Sequence, residues 1–218
     1  MEARIKKHYL PLVLLSLIAA FLFILLWKTR DVLTFTADAT GYLSLIFLAV
    51  SLTIGPVNLY LKKNNPVSSY FRRDLGIYAG VLALVHSFTG LFVHLRGQMW
   101  QYFFYKTEQG YTLRFDDFGW ANETGLFAAL LVIVLLATSN DYSFKKLKPL
   151  KWKNVQRLTY LMMALVLIHC LYYCMIGQNL KRIYALYLPL LTVILFFQLM
   201  GIILKIREKQ AAKFNAQF

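Results

Sequence analysis

The stretch Leu75–Leu95 reads LGIYAGVLALVHSFTGLFVHL and contains 21 residues without a charged side chain. Arg72 and Arg73 precede it, and Arg96 follows it. A helix needs about 20 predominantly apolar residues to cross a bilayer, so the stretch predicts a transmembrane helix with basic residues at both ends. Its apolar residues do not alternate with polar ones, which excludes a strand of a β-barrel.

Five further uncharged stretches of similar length lie along the chain. They are Tyr9–Trp27, Ala39–Leu61, Thr124–Asn140, Leu158–Gln178 and Ile183–Leu204. The first has a longer apolar core than a signal peptide and no small-residue cleavage site after it, which favours a retained helix. The sequence therefore predicts an all-α membrane protein, with residues 1–218 forming one bundle of six transmembrane helices. No internal repeat is evident from the sequence.

The composition excludes other classes of protein. Hydrophobic residues make up 59% of the chain and charged residues only 16%, whereas a soluble domain has about 25% charged residues. The net charge of +14 is typical of nucleic-acid binding proteins, but here the basic residues form short clusters between apolar runs, which argues against that function. Cys170 and Cys174 are too few for a disulfide framework and are interpreted as packing residues.

The distribution of Lys and Arg predicts the orientation of the bundle, because cytoplasmic loops carry an excess of these residues. The two termini, the second loop and the fourth loop together hold 17 of them, and the other three loops hold 7. Both termini are therefore predicted to be cytoplasmic. The outer segment from Arg96 to Glu123 is rich in aromatic residues, which indicates either a membrane-interface belt or a docking surface for an outer partner.

Two histidines lie well inside predicted spans, where ionisable residues are costly and usually functional. His86 follows Arg73 by thirteen residues and His169 follows Arg157 by twelve, which corresponds to about 20 Å and about 18 Å of helix. Two imidazoles at one depth on parallel helices are what bis-imidazole ligation of a haem iron requires. Taken singly, each could instead be a hydrogen-bonded polar residue of the bundle.

The residues around these histidines, and the motifs that are missing, indicate which type of haem they would bind. Small residues recur along the same helix at Gly76, Gly80, Ala83, Ser87 and Gly90, which indicates close helix packing and beside a ligand leaves room for a flat macrocycle. There is no C-x-x-C-H motif, so covalent attachment is excluded and haem b remains. His94 is interpreted as an interfacial residue near a propionate, and His8 as incidental.

The motifs that are missing indicate an electron relay. The chain has no G-x-G-x-x-G, Walker A or C-x-x-C motif, so electrons must come from a cytoplasmic flavoprotein or from a quinol in the bilayer. Direct reduction of ferric ions or oxygen at the outer face is an alternative. A haem-free transporter with His86 and His169 as a proton relay is another, although neither histidine has an intramembrane carboxylate as a partner.

Several segments along the chain match a known pattern; they are Ile54-Gly55-Pro56, Arg72-Arg73-Asp74-Leu75-Gly76-Ile77, His86, Thr138-Ser139-Asn140, Trp152, Arg157-Leu158, Tyr160-Leu161 and His169. These segments resemble the ferric reductase-like transmembrane domain family, and the plan of six helices without a flavin domain is most similar to its YedZ/MsrQ branch. Members of that branch are haem-binding membrane subunits of a periplasmic methionine sulfoxide reductase system. The resemblance implies an electron-transfer subunit in the bacterial inner membrane, rather than a self-contained enzyme, with a molybdenum-containing reductase as its outer partner.

The resemblance also implies roles for particular residues. His86 and His169 correspond to the family's haem ligands. Arg72 and Arg73 correspond to an arginine pair that could face a propionate or the phosphate of a flavin, so FMN or a quinone is a candidate inner cofactor. Where the branch commonly has histidine at the start of the fifth span, this chain has Gln156. Because glutamine is not an ordinary haem ligand and no other pair of histidines shares a depth, we expect one haem per chain.

Overall fold

The computed structural model describes residues 2–26, 31–63, 70–96 and 98–215. Trp27, Lys28 and Arg30, which belong to the predicted first span and the first outer loop, lie outside the described residues. Seven helical segments of at least 16 residues are described; they are α1 Leu10–Leu26, α2 Val32–Tyr60, α3 Tyr70–Gly90, α4 Asp117–Thr138, α5 Asp141–Gln156, which is kinked at Lys148, α6 Leu158–Ile176 and α7 Leu188–Asn215. One π-helical turn, Ile5–Tyr9, leads into α1, and another, Ile183–Tyr187, leads into α7.

The predominantly helical membrane architecture is confirmed. Within the described residues, five helices are long and apolar enough to cross a membrane. Their bounds are Ile5–Leu25, Val32–Tyr60, Asp117–Thr138, Asp141–Ile176 and Ile183–Ala212. The remaining predicted span corresponds to α3, in which Arg72, Arg73 and Asp74 fall inside the first turns and lower the mean hydropathy. The six-span count and the cytoplasmic termini stay predictions.

Two helices begin earlier than the apolar pattern predicts, because a capping carboxylate sets each start. The Asp31 side chain accepts a hydrogen bond from the backbone N–H of Thr34, and the Asp116 side chain accepts one from that of Gly119. Such bonds satisfy N–H groups that lack a partner in the first turn of a helix. Helices α2 and α4 are therefore longer at their N-terminal ends than Ala39–Leu61 and Thr124–Asn140.

The bundle is organised around α2, which packs against α3 on one side and α7 on the other, while α4 packs against α6. The interior contains small and branched apolar residues, such as Ala49 and Leu52 of α2, Met163 of α6 and Ile194 of α7. Many apolar side chains of α1 and α7 instead face outwards, and Leu17 is 62% exposed. An apolar outer surface of this kind suits a lipid environment.

Helix α3 ends at Gly90, five residues before the predicted end at Leu95. The buried side chain of Tyr102 holds the chain that leaves the helix: its hydroxyl donates to the carbonyl of Gly90 and accepts from the backbone N–H of His94, both at 3.1 Å. Because this tyrosine belongs to the outer segment, a tertiary contact and not local hydropathy sets the end of α3.

The outer segment contains a small antiparallel hairpin of β1 Phe104–Thr107 and β2 Gly110–Leu113, with Phe104 opposite Leu113. All eight strand residues are exposed. The basic segment after α4, predicted as a loop, is the helix α5. Trp152 holds α5 against α4 by donating from its ring nitrogen to the carbonyl of Thr138 at 2.8 Å.

The N-terminal segment that leads into α1 is attached to α3 at a fully buried carboxylate, that of Asp74. Its oxygens accept hydrogen bonds from Arg4, from the ring of His8 at 2.6 Å and from the hydroxyl of Tyr9 at 3.2 Å. His8, interpreted from the sequence as incidental, is therefore a structural partner of Asp74.

Candidate functional site

The structure brings together the two histidines that the sequence singles out. His86 of α3 and His169 of α6 have ring centroids 6.1 Å apart, and their ring planes are nearly perpendicular at 87°. Both side chains are partly buried. The pair lies towards the end of the bundle that carries the β-hairpin, since α3 ends four residues after His86.

Each ring is oriented by a main-chain carbonyl of a neighbouring helix. Nδ1 of His86 lies 2.8 Å from the carbonyl oxygen of Ala37 in α2, and Nδ1 of His169 lies 2.7 Å from that of Ala121 in α4. A carbonyl oxygen only accepts hydrogen bonds, so both Nδ1 atoms carry the proton and donate. In the neutral form of each ring, Nε2 is then the nitrogen with a lone pair for a metal.

The spacing of the rings fits two axial ligands of one iron. A metal–imidazole bond is about 2 Å long and the ring centre lies about 1 Å beyond the nitrogen, so two imidazoles on opposite sides of one metal have centres about 6 Å apart. The observed separation is 6.1 Å. Among the described residues no group of three or more His, Cys, Asp or Glu side chains could hold a bare metal ion. The donor set therefore suits a metal that brings its own equatorial ligands, such as a haem iron.

Two glycines that the sequence reading missed make these contacts possible. A β-carbon on Gly41 would lie 2.7 Å from Nδ1 of His86, and one on Gly125 would lie 2.6 Å from Nδ1 of His169. In the predicted small-residue stripe of α3, by contrast, a β-carbon on Gly80 would meet Leu136 at 2.8 Å and one on Gly76 would meet Ser51 at 3.4 Å. These stripe positions thus serve helix packing. The sequence does contain a signal for Gly41 and Gly125: each is the last residue of a short repeated motif, Ala-x-x-Thr-Gly.

Arg72 and Arg73 lie at the opposite end of α3 and do not approach the histidines. Nε of Arg72 donates to the carbonyl of Ser51 at 3.0 Å, and Ser51 Oγ donates back to the carbonyl of Arg72 at 3.0 Å. Arg73 pairs with Asp141 at 2.6 Å and lies over the ring of Tyr70. In the described part of the chain, Nε of Arg73 is the buried side-chain atom that has no hydrogen-bond partner.

His94 is close to the pair without belonging to it. Its ring stacks on Tyr173, with centroids 6.3 Å apart, and Tyr173 in turn lies 5.0 Å from His169. His94, Tyr173 and Arg114 line a cavity of about 370 Å³ at this end of the bundle. Gln156 is the last residue of α5; it donates from Nε2 to the hydroxyl of Thr138 at 3.1 Å and so connects α5 to α4.

Comparison with known families is consistent with this arrangement. The family model described as ferric reductase like transmembrane component matches residues 40–167, which is more than half of the chain. The matched region runs from α2 into α6, contains His86 and ends two residues before His169. No curated protein and no solved structure matches the chain.

Proposed function

Because this chain belongs to the ferric reductase-like transmembrane family, we propose that it is the haem-b-carrying electron-transfer subunit of a membrane oxidoreductase. Domains of this family generally bind haem, and family membership supports a role in membrane electron transfer. The observation that carries the proposal is the pair of Nδ1-protonated imidazoles of His86 and His169, with ring centroids 6.1 Å apart. A bound haem would supply one-electron redox chemistry at this site.

The residues around the pair suit that role. Backbone carbonyls of Ala37 and Ala121 hold both rings in place through Nδ1, which is how proteins commonly orient a histidine that binds a metal. Helices α3, α4 and α6 are joined by an apolar cluster that includes Ala83, Val132 and Met162, and an apolar shell limits access of water to a metal site. Because the sequence has no G-x-G-x-x-G nucleotide-binding motif, we propose that electrons come from another molecule or from a second cofactor.

The route that we propose starts at the cytoplasmic side, where a flavin reductase or a membrane quinol donates. Arg72 and Arg73 are about 20 Å of helix away from His86. An FMN or a quinone bound near them would shorten the distance that an electron has to cover from the cytoplasmic end to the haem. The buried, unpartnered Nε of Arg73 could donate to a phosphate. The acceptor, by similarity to the YedZ/MsrQ branch, is a periplasmic molybdenum-containing methionine sulfoxide reductase subunit, and the membrane is the bacterial inner membrane.

Absorption spectroscopy of the detergent-purified chain, oxidised and then reduced with dithionite, tests the proposal. We expect a Soret band and the sharp bands of a low-spin, bis-imidazole haem b in the reduced state. A pyridine haemochrome assay against quantified protein should give about one haem per chain, consistent with a single pair of axial histidines. A reconstituted protein without a Soret band would contradict the proposal and favour a transporter, and a ratio near two would contradict the single site.

A second candidate function, direct reduction of a small acceptor, is favoured by one observation. The cavity lined by His94, Tyr173 and Arg114 lies beside His169, and its volume of about 370 Å³ offers room for a small acceptor. If the haem-loaded, reduced chain is oxidised as fast by ferric citrate alone as with any protein acceptor, this candidate replaces the relay.

A further inference from the structure

The two histidines are held by two copies of one structural unit. Residues 37–41 read ADATG and residues 121–125 read ANETG, so each copy has Ala, then an Asp or Asn, and ends in Thr-Gly. The sequence separation from the alanine to its histidine is 49 residues in the first copy and 48 in the second. The expectation that the chain has no internal repeat is therefore wrong at the scale of this motif.

The contacts within the two copies agree closely. In each, the alanine carbonyl accepts from the histidine Nδ1, at 2.8 and 2.7 Å. In each, the threonine hydroxyl donates to the carbonyl of the residue four positions earlier, at 2.6 Å for Thr40 and 2.7 Å for Thr124. The threonine side chains thus bond to their own helix, and the following glycine is the residue that faces the imidazole.

That glycine faces the ring at a distance that no side chain could occupy. A β-carbon would lie 2.7 Å from Nδ1 and 3.0 Å from Cε1 of His86 at Gly41, and 2.6 Å and 2.9 Å from the same atoms of His169 at Gly125. Such distances are well inside van der Waals contact, so an alanine would push the ring away from its carbonyl. The ring would then lose the hydrogen bond that fixes both its orientation and its tautomer.

The orientation matters because the two copies set the rings at 87° to each other. The angle between axial imidazole planes controls the splitting of the iron d orbitals in a low-spin ferric haem. Nearly perpendicular planes give a strongly anisotropic EPR signal, and parallel planes give a rhombic signal with three resolved g values. Axial ligation and its surrounding hydrogen bonds are the means by which a protein tunes a haem.

We propose that Gly41 and Gly125 are positioning residues, which lock His86 and His169 in perpendicular planes by allowing each Nδ1 to reach the carbonyl of Ala37 or Ala121. The inference rests on the proposed haem function. It assigns to the repeated Ala-x-x-Thr-Gly unit the task of fixing the ligand geometry, and it gives the two glycines equivalent roles on the two faces of the haem.

The test compares Gly41→Ala and Gly125→Ala with Gly76→Ala in the full chain. Gly76 is the matched control, because it is also a helix glycine, its β-carbon would make only an ordinary contact with Ser51 at 3.4 Å, and it lies about 15 Å along α3 from His86. The readouts are the EPR spectrum of the ferric protein and the rate of haem loss to apomyoglobin. We expect the wild type and Gly76→Ala to share one strongly anisotropic low-spin signal.

Each of the other two variants should show a rhombic or high-spin signal and lose haem about tenfold faster or more, which is the size of effect that removal of a supporting contact has on metal affinity. If both variants keep the wild-type signal and the wild-type rate of haem loss, the proposal is wrong. Failure of the proposed function looks different, since the wild type itself would then have no Soret band.

If a glycine variant does not accumulate in the membrane, the same substitution is tested in a chain that lacks the neighbouring histidine. The collision of the new β-carbon is with the imidazole ring, so Gly41→Ala combined with His86→Ala should be no less stable to heat than His86→Ala alone. The pair Gly125→Ala and His169→Ala should behave in the same way. If the double variants are as defective as the single glycine variants, the glycines serve the helix backbone and the proposal is overturned.

Discussion

A histidine in a helical bundle has two ring nitrogens, and its hydrogen bonds determine which of them is free to bind a metal. At the residue scale, the main-chain carbonyls of Ala37 and Ala121 make that choice for His86 and His169. His94 has no equivalent carbonyl partner in the described residues; its ring stacks on Tyr173 beyond the end of α3. The three histidines near this end of the bundle are therefore not interchangeable.

We expect His86→Ala and His169→Ala each to abolish the low-spin bis-imidazole absorption, because either change removes one axial nitrogen. His94→Ala should leave the haem bound, with its spectrum close to that of the wild type. The measurement is the reduced-minus-oxidised spectrum of each purified variant at equal protein concentration. Loss of haem from His94→Ala together with retention in His169→Ala would contradict the ligand assignment.

At the scale of elements, helix α5 contains a backbone conformation that a lysine rarely adopts. Lys148 has φ 61° and ψ 156° and is followed by Pro149, which interrupts the helical hydrogen bonds. This region of backbone space is populated almost only by glycine, and other residues there cost about 1–3 kcal/mol. The kink divides the basic segment into two short helical pieces.

Replacing Lys148 with glycine should therefore stabilise the protein by about 1 kcal/mol, because the strain is relieved. Lys146→Gly is the matched control: it removes the same charge from a regular helical position and should destabilise by about 1 kcal/mol. The thermal unfolding midpoint of each variant in detergent is the measurement. Destabilisation by both substitutions to the same extent would show that Lys148 is not strained.

The cap of α4 predicts a pH dependence of stability. Arg114 donates to the carboxylate of Asp116 at 2.9 Å, and the hydroxyl of Tyr105 donates at 2.6 Å. The hydrogen bond from the Arg114 guanidinium is the main reason that the pKa of Asp116 lies well below its usual range. A carboxyl whose pKa is lower in the folded state contributes stability that is fully present above about pH 4 and is lost as the pH falls towards the folded-state pKa.

The thermal midpoint of the wild type should accordingly decrease between about pH 4 and pH 2. Asp116→Asn should have a lower midpoint at pH 7 and a smaller decrease over that interval. Glu108→Gln, which removes an exposed carboxylate from the turn between β1 and β2, is the control and should follow the wild-type curve. An Asp116→Asn curve parallel to that of the wild type would mean that this carboxylate does not account for the acid sensitivity.

On the scale of the whole molecule, the charge is unevenly distributed between the two ends of the bundle. The end of the bundle that is predicted to be cytoplasmic holds 17 of the 24 Lys and Arg residues. Among them, Lys145, Lys146 and Lys148 of α5 have exposed side chains. A surface of one sign accelerates association with an oppositely charged partner and makes the rate dependent on salt. An acidic flavin reductase would be such a partner.

Neutralising Lys145, Lys146 and Lys148 together, by substitution with glutamine, should slow reduction by a flavin reductase severalfold at low salt and flatten its salt dependence. Stopped-flow absorption at the Soret band is the measurement. Substitution of Lys106 and Lys181, which belong to the predicted outer loops, is the control and should leave the rate unchanged. An unchanged rate in the triple variant, with rapid reduction by a quinol analogue, would move the entry point for electrons into the bilayer.

The sequence by itself determined the membrane class and the positions of the apolar helices, because length and hydropathy of a span are local properties of the chain. It also singled out His86 and His169, since an ionisable residue within an apolar run stands out without any knowledge of packing. Helix ends were less predictable: α2 and α4 start at the carboxylate caps of Asp31 and Asp116, and α3 stops where Tyr102 binds its last carbonyl.

Only the tertiary structure decided the geometry at the histidines. The carbonyl that each Nδ1 meets, the 87° between the rings and the need for Gly41 and Gly125 all depend on how α2 turns towards α3 and α4 towards α6. Hydropathy does not fix that rotation, because lipid-facing and bundle-facing positions are both apolar. The same reason explains Arg72: the sequence puts it at the end of a span, and packing turns its guanidinium onto Ser51 of α2.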